Sequence, residues 1–470
     1  MTNRHELKKG IGRLGFFSLA FGSMIGVGWI TGLQVMFEQA GPIGTALAFI
    51  FGGLLMVAIG LCYAEAISLL PVTGGEVAYA YKAFGTQKSF LIGWALAFGY
   101  LSVSAFEAVS IGIVLSYLVK IDYWPLYDIG NTTVYGAHVL LAFTFTTVIA
   151  LMNYRGAAIT TRFQIALTIL LVVCAIGFAS TGLWGGEIQN MSPAFGSYDF
   201  KVACGGMLAV FITVPFWYVG FDTIPQAAEE RVDDLPAKRL GQILIASILG
   251  STLFYVIVFV SVGMTTPWQA IINKPLPTAV AFETAFNSPT LGRVVLFVGL
   301  IGLMTSWNGF FLAGTRVLFA LGRGHIIHPA FGKTHQRFGT PSAAILVCGI
   351  VTFLGALLGK PAILILLNVG SFCIALAFLG VALSVMKMRK LNGRSGSFGY
   401  AIFPYLAAIG SLFILSVIVI QLTMREWFVL TAVILSGVVF WSTARKTREQ
   451  LSQQQRNHLI LDEDPEHLYE

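Results

Sequence analysis

The chain has 470 residues, of which 56% are hydrophobic and only 11% are charged. Soluble domains carry about 25% charged residues, so this composition lies far from theirs. The mean hydropathy is +0.79, which is more apolar surface than one globular core can bury, and we expect lipid to surround most of the chain. These values exclude a soluble enzyme, a nucleic-acid-binding factor and a disordered scaffold.

Twelve apolar runs follow one another along the chain. Each is long enough to cross a bilayer as a helix, which needs about 20 residues. The division between the ninth and tenth runs depends on Gly359, Lys360 and Pro361 alone. Numbered in chain order, the twelve predicted spans cover residues 14–36, 43–70, 88–119, 136–153, 159–184, 203–226, 240–264, 291–320, 342–359, 361–386, 401–422 and 427–443.

The distribution of basic residues predicts the orientation. With the N-terminus in the cytoplasm, 23 of the 29 Lys and Arg residues fall on the cytoplasmic side, as the positive-inside rule requires. The net charge of +7 is therefore assigned to these loops, and no nucleic-acid partner is expected. We predict a multi-pass protein of the cytoplasmic membrane with both termini in the cytoplasm. The basic residues on the other side are Lys120, Lys201, Lys274, Arg293, Lys360 and Arg425.

The predicted organisation has four parts. Residues 1–13 form a cytoplasmic N-terminus, 14–386 form a ten-span core, 401–443 hold two additional spans, and 444–470 form a short, mobile cytoplasmic tail. The five cysteines form no C-x-x-C pair, and the histidines match no zinc-binding spacing. We therefore expect no cofactor and no metal site.

Span one contains three glycines within seven residues, at Gly22, Gly26 and Gly28. Each glycine costs about 1 kcal/mol against alanine inside a helix. Within a bilayer, a broken helix is tolerated only where it lines a cavity or is covered by protein. The alternative interpretation is close helix packing through small residues.

Span six contains Pro215 and Gly220, followed by Asp222 within the apolar run. Proline removes a backbone donor and glycine loosens the next turn, although a simple proline kink would give the same pattern. Interruptions at corresponding positions of two halves indicate a transporter binding site near the membrane midplane. The free N–H groups of one half-helix suit a carboxylate and the free carbonyls of the other suit an ammonium, so the pair suits a zwitterion.

Four motifs lie near these breaks and in the neighbouring spans. Together, and in this order, they resemble the amino acid–polyamine–organocation superfamily of secondary transporters, by motif from about residue 10 to about residue 324 and more loosely beyond. The motifs are G-S-M-I-G-x-G at 22–28, Y-A-E at 63–65 with P-x-x-G-G at 71–75, N-x-x-G at 153–156 with F-Q at 163–164, and G-F-D at 220–222 with A-E-E at 228–230.

This resemblance implies an all-α membrane fold of two inverted five-helix repeats, at about 14–184 and 203–386, with broken helices one and six. Two extra C-terminal helices would follow. It also implies alternating access, coupled to protons or sodium, or operating by exchange. The substrate-binding residues that it implies are backbone groups of span one, aromatics and a glycine of span six, and a closing aromatic of span eight, namely Ser23, Met24, Ile25, Gly26, Gly28, Phe216, Trp217, Tyr218, Gly220 and Trp307.

The chain departs from the family pattern at two places. Trp29 and Ile30 stand where many relatives have Ile-Phe, and the indole either narrows the outer vestibule or packs. Leu171 stands where several relatives carry a lysine in place of a sodium ion. The coupling ion therefore stays open between a proton, which we favour, and sodium, for which Thr305 and Ser306 offer hydroxyl oxygens.

Glu107 lies in the middle of span three. A carboxylate at that depth costs about 2.5–3.5 kcal/mol, so it should face a cavity or a partner. We expect Glu107 to bind a cationic group of the substrate or to carry the coupled proton. The alternative is a neutral structural acid.

Asp222 lies just past the break in span six, where it would cap the following half-helix or pair with a basic residue such as Arg316. Glu107, Asp222 and Arg316 are thus the candidate coupling or gating residues. A salt-bridge network at the inner gate is expected to join four glutamates to three arginines, namely Glu65, Glu76, Glu229 and Glu230 with Arg155, Arg162 and Arg231.

These observations favour a secondary transporter for an amino acid or a related organic amine. A polyamine or biogenic amine transporter with Glu107 as the amine anchor is the alternative. A channel would need a continuous polar pore, and a transporter-like sensor would carry a sizeable soluble domain, which this chain lacks. No nucleophile or metal constellation for an enzyme is present.

Overall fold

The computed structural model describes residues 4–274, 276–392 and 401–463. Within these ranges, eleven helices are long and apolar enough to cross a membrane. A twelfth apolar helix, Ser342–Ala356, has 15 residues and occupies the predicted ninth span. The expected all-helical membrane protein is therefore confirmed, whereas the inverted repeat remains a prediction.

The helices follow the predicted spans closely, and the ninth and tenth are separated at 357–361 as expected. The helices that form the spans are Arg13–Met24, Gly28–Thr31, Leu33–Leu69, Thr86–Ser116, Gly136–Arg155, Ala157–Gly185, Phe200–Trp217, Thr223–Gln226, Ala237–Thr265, Pro289–Arg323, Ser342–Ala356, Ala362–Asn392, Phe403–Gln421 and Met424–Thr443.

Spans one and two meet at Gly41, within the helical run Leu33–Leu69. Gly41 has φ 65° and ψ 175°, a backbone conformation that glycine adopts without steric penalty. Pro42 follows and brings no N–H group. The amides of Ile43 and Gly44 instead donate to the carbonyl oxygen of Ala194, at 2.9 and 3.2 Å. The kink thus separates the outer half of span one from span two.

The connections carry little regular structure. An antiparallel hairpin, Pro125–Ile129 with Thr132–Tyr135, joins spans three and four. The short helix Gly75–Phe84 joins spans two and three, and Pro277–Ala285 joins spans seven and eight. Spans three and eight are the most enclosed, and spans four, six and twelve are the most exposed at the surface. A site at spans one, three and eight is therefore shielded from lipid.

Both ends of the described chain meet at one end of the bundle, called here the terminal face. The amides of Gly10 and Ile11 donate to the carbonyl oxygen of Glu230. Two tail helices, Arg445–Gln450 and Gln453–Leu461, follow span twelve. Arg4 forms an ion pair with Asp462 at 3.1 Å.

The expectation of a mobile tail is wrong for residues 445–463. Leu459, Ile460 and Leu461 are buried, and the hydroxyl of Tyr81 donates to Asn457 at 2.8 Å. These three consecutive apolar residues pack against the rest of the protein, although the remainder of the segment is polar. The acidic end at 464–470 and the basic Arg394 lie outside the described residues.

Candidate substrate and coupling site

Span one is interrupted where its glycines lie. The first helix ends at Met24, Ile25 has a non-helical backbone (φ −97°, ψ 78°), and the helix resumes at Gly28. Gly26 and Gly28 are partly exposed, although the residues beside them are buried. The first amides of the resumed helix have no acceptors within that helix. The break therefore offers backbone N–H groups to a partner from outside the helix.

Span six is interrupted at the level of the first break. Its helix ends at Trp217 and a short helix begins at Thr223. Between them, Gly220 has φ +131°, and a Cβ there would lie 2.8 Å from the backbone of Ser23 and Met24. The two breaks are thus in direct contact, and only a glycine allows that approach.

Tyr255 of span seven joins the two breaks, and sequence reasoning missed it. Its hydroxyl lies 2.7 Å from the carbonyl oxygen of Met24 and 3.2 Å from that of Trp217. The side chain is almost fully buried. The carbonyl of Met24 is therefore already engaged by the protein. The sequence feature that could have indicated this role is the presence of a tyrosine inside an apolar span.

Glu107 reaches the first break from span three. A Cβ at Gly26 would lie 3.0 Å from its Oε1 and 3.3 Å from the Oγ of Ser306. The carboxyl is buried, and its Oε2 has no hydrogen-bond partner. Among the described residues, no Lys, Arg or His forms an ion pair with Glu107. A polar site without its own cation thus lies beside the exposed backbone of Gly26.

The aromatic residues of span six take different places. Phe216 and Trp217 are half-buried and pack edge to face, with ring centroids 5.8 Å apart. The indole of Trp217 covers Gly28, where any Cβ would overlap the ring. Tyr218 instead turns toward span seven, and its hydroxyl bonds to Thr252 at 2.9 Å. Phe216 and Trp217 are therefore the better placed to contact a substrate.

Three further positions hold fully buried side chains. Trp307 is fully buried and its indole N–H has no acceptor among the described residues. Trp29 is buried and stacks on Phe178 at a centroid distance of 5.4 Å, which matches the packing alternative. Leu171, at the position where several relatives carry a lysine, is fully buried and carries no charge.

A network of buried amide side chains bonds to the part of span one that precedes its break. Gln164, of the F-Q motif, donates to the carbonyl oxygens of Ser18 at 3.2 Å and Thr305 at 3.0 Å. Asn308 donates to Gln164 at 2.6 Å, and Asn153 lies 3.4 Å from Asn308. The hydroxyl of Thr305 bonds to its own helix. These bonds tie spans one, four, five and eight together.

No ion pair of the described residues includes Asp222, so the alternative in which it pairs with Arg316 is wrong. The hydroxyl of Tyr100 donates to its Oδ2 at 2.7 Å, and the amide of Gly220 donates to its Oδ1 at 2.8 Å. Arg316 instead makes a bidentate pair with Glu230, at 2.7 and 2.8 Å. The arginine has five donors in a planar fork, which fits one carboxylate better than two separate ones.

Among the described residues, three of the four expected glutamates form inner salt bridges, but with other arginines, and Glu76 forms none. Glu229 binds Arg323 through two contacts of 2.7 Å and Arg4 at 2.7 Å. Glu65 binds Arg389 at 2.9 Å. Burial alone would raise the pKa of Glu229, but Arg323 and Arg4 lower it to about 2.

The three arginines expected in that network lie elsewhere. Arg155 and Arg162 are exposed. Arg231 donates to the carbonyl oxygens of Pro71 and Ala228. Spacing along the chain does not reveal which of several long side chains reaches a given carboxylate, because the pairs form between distant spans.

The chain is similar in sequence to known proteins along most of its length. A family profile described as "Amino acid permease" matches residues 11–442. The chain is 26% identical to the amino-acid permease RocE of Bacillus subtilis over 423 residues, which cover 87% of this chain and 88% of that protein. It is 26% identical to the branched-chain amino acid permease BcaP of Lactococcus lactis, with 85% and 87% covered. It is 25% identical to the gamma-aminobutyric acid permease of Escherichia coli, with 89% of each chain covered.

The broken helices and the polar site between them define a membrane transporter, not an enzyme. The chain belongs to the amino acid permease family. The resemblance noted from its motifs is thereby confirmed, and its substrate class is small molecules of the amino acid type.

Proposed function

We propose that the protein moves an amino acid or a related organic amine across the cytoplasmic membrane by alternating access. The observation that carries this proposal is the position of the Glu107 carboxyl beside the partly exposed break at Gly26. The free amides from Gly26 to Gly28 would take a carboxylate, and Glu107 would take a cationic group. Phe216, Trp217 and Trp307 would enclose the side chain.

The terminal face is proposed to be cytoplasmic. It carries both ends of the described chain, and it is the side to which the predicted spans assign 23 of the 29 Lys and Arg residues, as the positive-inside rule favours. Proton coupling is favoured over sodium, because Glu107 is a buried carboxyl whose Oε2 has no hydrogen-bond partner among the described residues, and such a group is suited to hold a proton. Exchange of one substrate for another remains part of the proposal. The relatives named above suggest branched-chain amino acids and gamma-aminobutyric acid as the first substrates to try.

The alternative candidate is a polyamine or biogenic amine transporter. It is favoured by Glu107 being buried with an unpartnered Oε2 and no cation of its own. Such a carboxyl could anchor an amine whether or not the substrate also carries a carboxylate.

Purified protein in proteoliposomes tests both candidates. Labelled amino acids, including the branched-chain ones and gamma-aminobutyric acid, are offered beside their decarboxylated amines under an inward proton gradient and then a sodium gradient. Uptake of amino acids alone assigns recognition to the span-one amides as well as Glu107. Uptake of amines alone contradicts the carboxylate role of Gly26 and Gly28. Absence of any uptake under either gradient, or by exchange, contradicts the proposed function.

Glu107→Gln measures the part played by the carboxyl. A hydrogen bond to a charged group contributes about 1.5–3 kcal/mol, so we expect KM to rise roughly 10- to 100-fold. Glu187→Gln, which removes an exposed glutamate far from the breaks, is the matched control and should leave KM unchanged. If Glu107→Gln changes neither KM nor the pH dependence of uptake, Glu107 is a structural acid.

A further inference from the structure

A second group of buried polar side chains lies between the break in span six and the terminal face. It is called here the inner acid cluster, and its members are fully buried: Tyr63, Glu76, Tyr100, Asp222 and Gln226. They come from span two, the short helix Gly75–Phe84, span three and the second part of span six. Nothing in the substrate site uses Glu76.

Hydrogen bonds join the two carboxyls of this cluster through Gln226. The amide nitrogen of Gln226 donates to Oε2 of Glu76, and it lies 3.2 Å from the carbonyl oxygen of Asp222 and 3.4 Å from the hydroxyl of Tyr100. That hydroxyl in turn donates to Oδ2 of Asp222. The side-chain amide of Gln226 therefore joins the short helix to span six, and the backbone amide of Gly74 adds a bond to the carbonyl oxygen of Gln226 at 3.4 Å.

In the described part of the chain, no cation is paired with these two acids. Three arginines of the spans are each bound to another glutamate, Arg316 to Glu230, Arg323 to Glu229 and Arg389 to Glu65. Among the described residues, no ion pair includes Glu76 or Asp222. Two buried carboxyls without a cation cannot both ionise at low cost, so the pair retains a proton.

The hydrogen bonds indicate which acid holds that proton. Asp222 accepts from Tyr100 and from the amide of Gly220, and two donors favour the ionised form. Glu76 accepts one bond from Gln226, while its Oε1 and the Oε1 of Gln226 have no hydrogen-bond partner. A proton on Glu76 gives it a donor that the unpartnered Gln226 oxygen can accept. The titratable groups that face Glu76 are Asp222, Tyr63, Tyr100 and, on its own helix, Tyr79.

We propose that Glu76 is a proton-binding residue, and that it carries the co-transported proton on its last step to the terminal face. This inference rests on the proposed transport function and names the coupling ion and a residue that holds it. It does not require Glu107 to carry the proton, which leaves Glu107 free for the substrate.

Burial of the cluster explains how binding and release alternate. Glu76 is fully buried in this conformation, so the proton leaves only when the short helix separates from span six and water enters from the terminal face. The O–H bond of Glu76 then breaks, the proton passes to water, and the carboxylate remains. The ionised Glu76 repels Asp222 until it is protonated again, so the closed arrangement re-forms only with a proton bound. Burial and the Asp222 carboxyl raise the pKa of Glu76 to about 8, which suits release to a neutral compartment in an opened state.

The experiment compares Glu76→Gln with wild type in proteoliposomes. The first readout is the substrate-linked proton flux, measured with a pH-sensitive dye inside the vesicles. The second readout is a ratio: the rate of uptake under a proton gradient divided by the rate of exchange of labelled for unlabelled substrate at equal pH. We expect Glu76→Gln to lower both the flux and that ratio by about tenfold or more, because the driving force no longer acts on a titrating group. Glu6→Gln, an exposed glutamate of the terminal face, is the matched control.

Each result decides one question. If Glu76→Gln keeps the wild-type flux and ratio, Glu76 is a permanently neutral structural acid and the inference is overturned. If wild type moves substrate without any linked proton flux, the inference is overturned and the proposed transport function stands. If wild type moves no amino acid or amine, the proposed function itself fails.

Gln226→Leu keeps the inference testable if Glu76→Gln does not fold. This variant retains the carboxyl but removes both groups that Gln226 offers it, the N–H and the oxygen, so the balance between the protonated and ionised forms of Glu76 changes. We expect the pH at which gradient-driven uptake is half-maximal to shift by about one unit from the wild-type value. An unchanged pH profile would contradict the role of Glu76.

Discussion

Gly220 is the residue where the two broken spans approach most closely. Its φ is +131°, and a Cβ at this position would lie 2.8 Å from the backbone of Ser23 and Met24, which leaves no room for a side chain. We expect Gly220→Ala to destabilise the protein by about 1–3 kcal/mol and to reduce uptake. Gly205, on the same span with open space around it, is the matched control, and Gly205→Ala should not lower the melting temperature measured in detergent. Equal melting temperatures for the two variants would contradict the tight contact.

At this scale, the sequence predicted positions better than partners. Gly26 and Gly220 were found because a glycine or proline inside an apolar span leaves a direct mark on the backbone. The partners of Asp222 and Glu76 were not, because both bond to neutral groups, Tyr100 and Gln226, on other spans. A hydroxyl or an amide inside an apolar span carries no sign of charge that would indicate its partner.

At the scale of elements, Glu229 binds the N-terminal segment to span eight. Arg323 and Arg4 lower its pKa to about 2 from an ordinary value of 4.5. A carboxyl whose pKa is lowered by folding stabilises the folded state above its unfolded pKa. That stabilisation is therefore complete above about pH 5 and is lost as the pH falls from 4.5 toward 2.

Thermal unfolding in detergent at a series of pH values measures this contribution. We expect Glu229→Gln to lower the free energy of unfolding at pH 7 by about 3–5 kcal/mol, because it leaves Arg323 buried without its partner. Its melting temperature should therefore be lower than that of wild type. The difference between the two proteins should shrink as the pH falls below 4.5. A difference that stays constant down to pH 3 would show that the ion pair is not its source.

The bounds of the spans could be read from the sequence, whereas the packing of the tail could not. A run of about 20 apolar residues is a requirement of the bilayer itself, so ranges such as 136–153 match helix Gly136–Arg155 within two residues. The tail has only Leu459, Ile460 and Leu461 as an apolar group. Such a triplet is too short to predict a buried helix, and its binding site is formed by residues hundreds of positions away.

At the scale of the whole molecule, the tail helix Gln453–Leu461 closes the terminal face. Ile460 packs on Gly324 of the loop after span eight, and Lys82 pairs with Glu463 at 2.6 Å. We expect Ile460→Asp to lower the free energy of unfolding by roughly 2 kcal/mol, since it places a charge in an apolar contact. The melting temperature should fall accordingly. Gln454→Asp, at an exposed position of the same helix, should leave the melting temperature unchanged. The same loss in both variants would contradict docking of the tail.

The ion pair between Arg4 and Asp462 has a consequence for biosynthesis. It joins the N-terminal segment to the tail helices, and Arg4 also binds Glu229. The spans can enter the bilayer one after another, but this clamp forms only once residues 4 and 462 have both been made. A chain cut short before Asp462 would keep its membrane segments and lack the clamp, which gives cellular quality control a way to tell it from a chain that carries the tail helices.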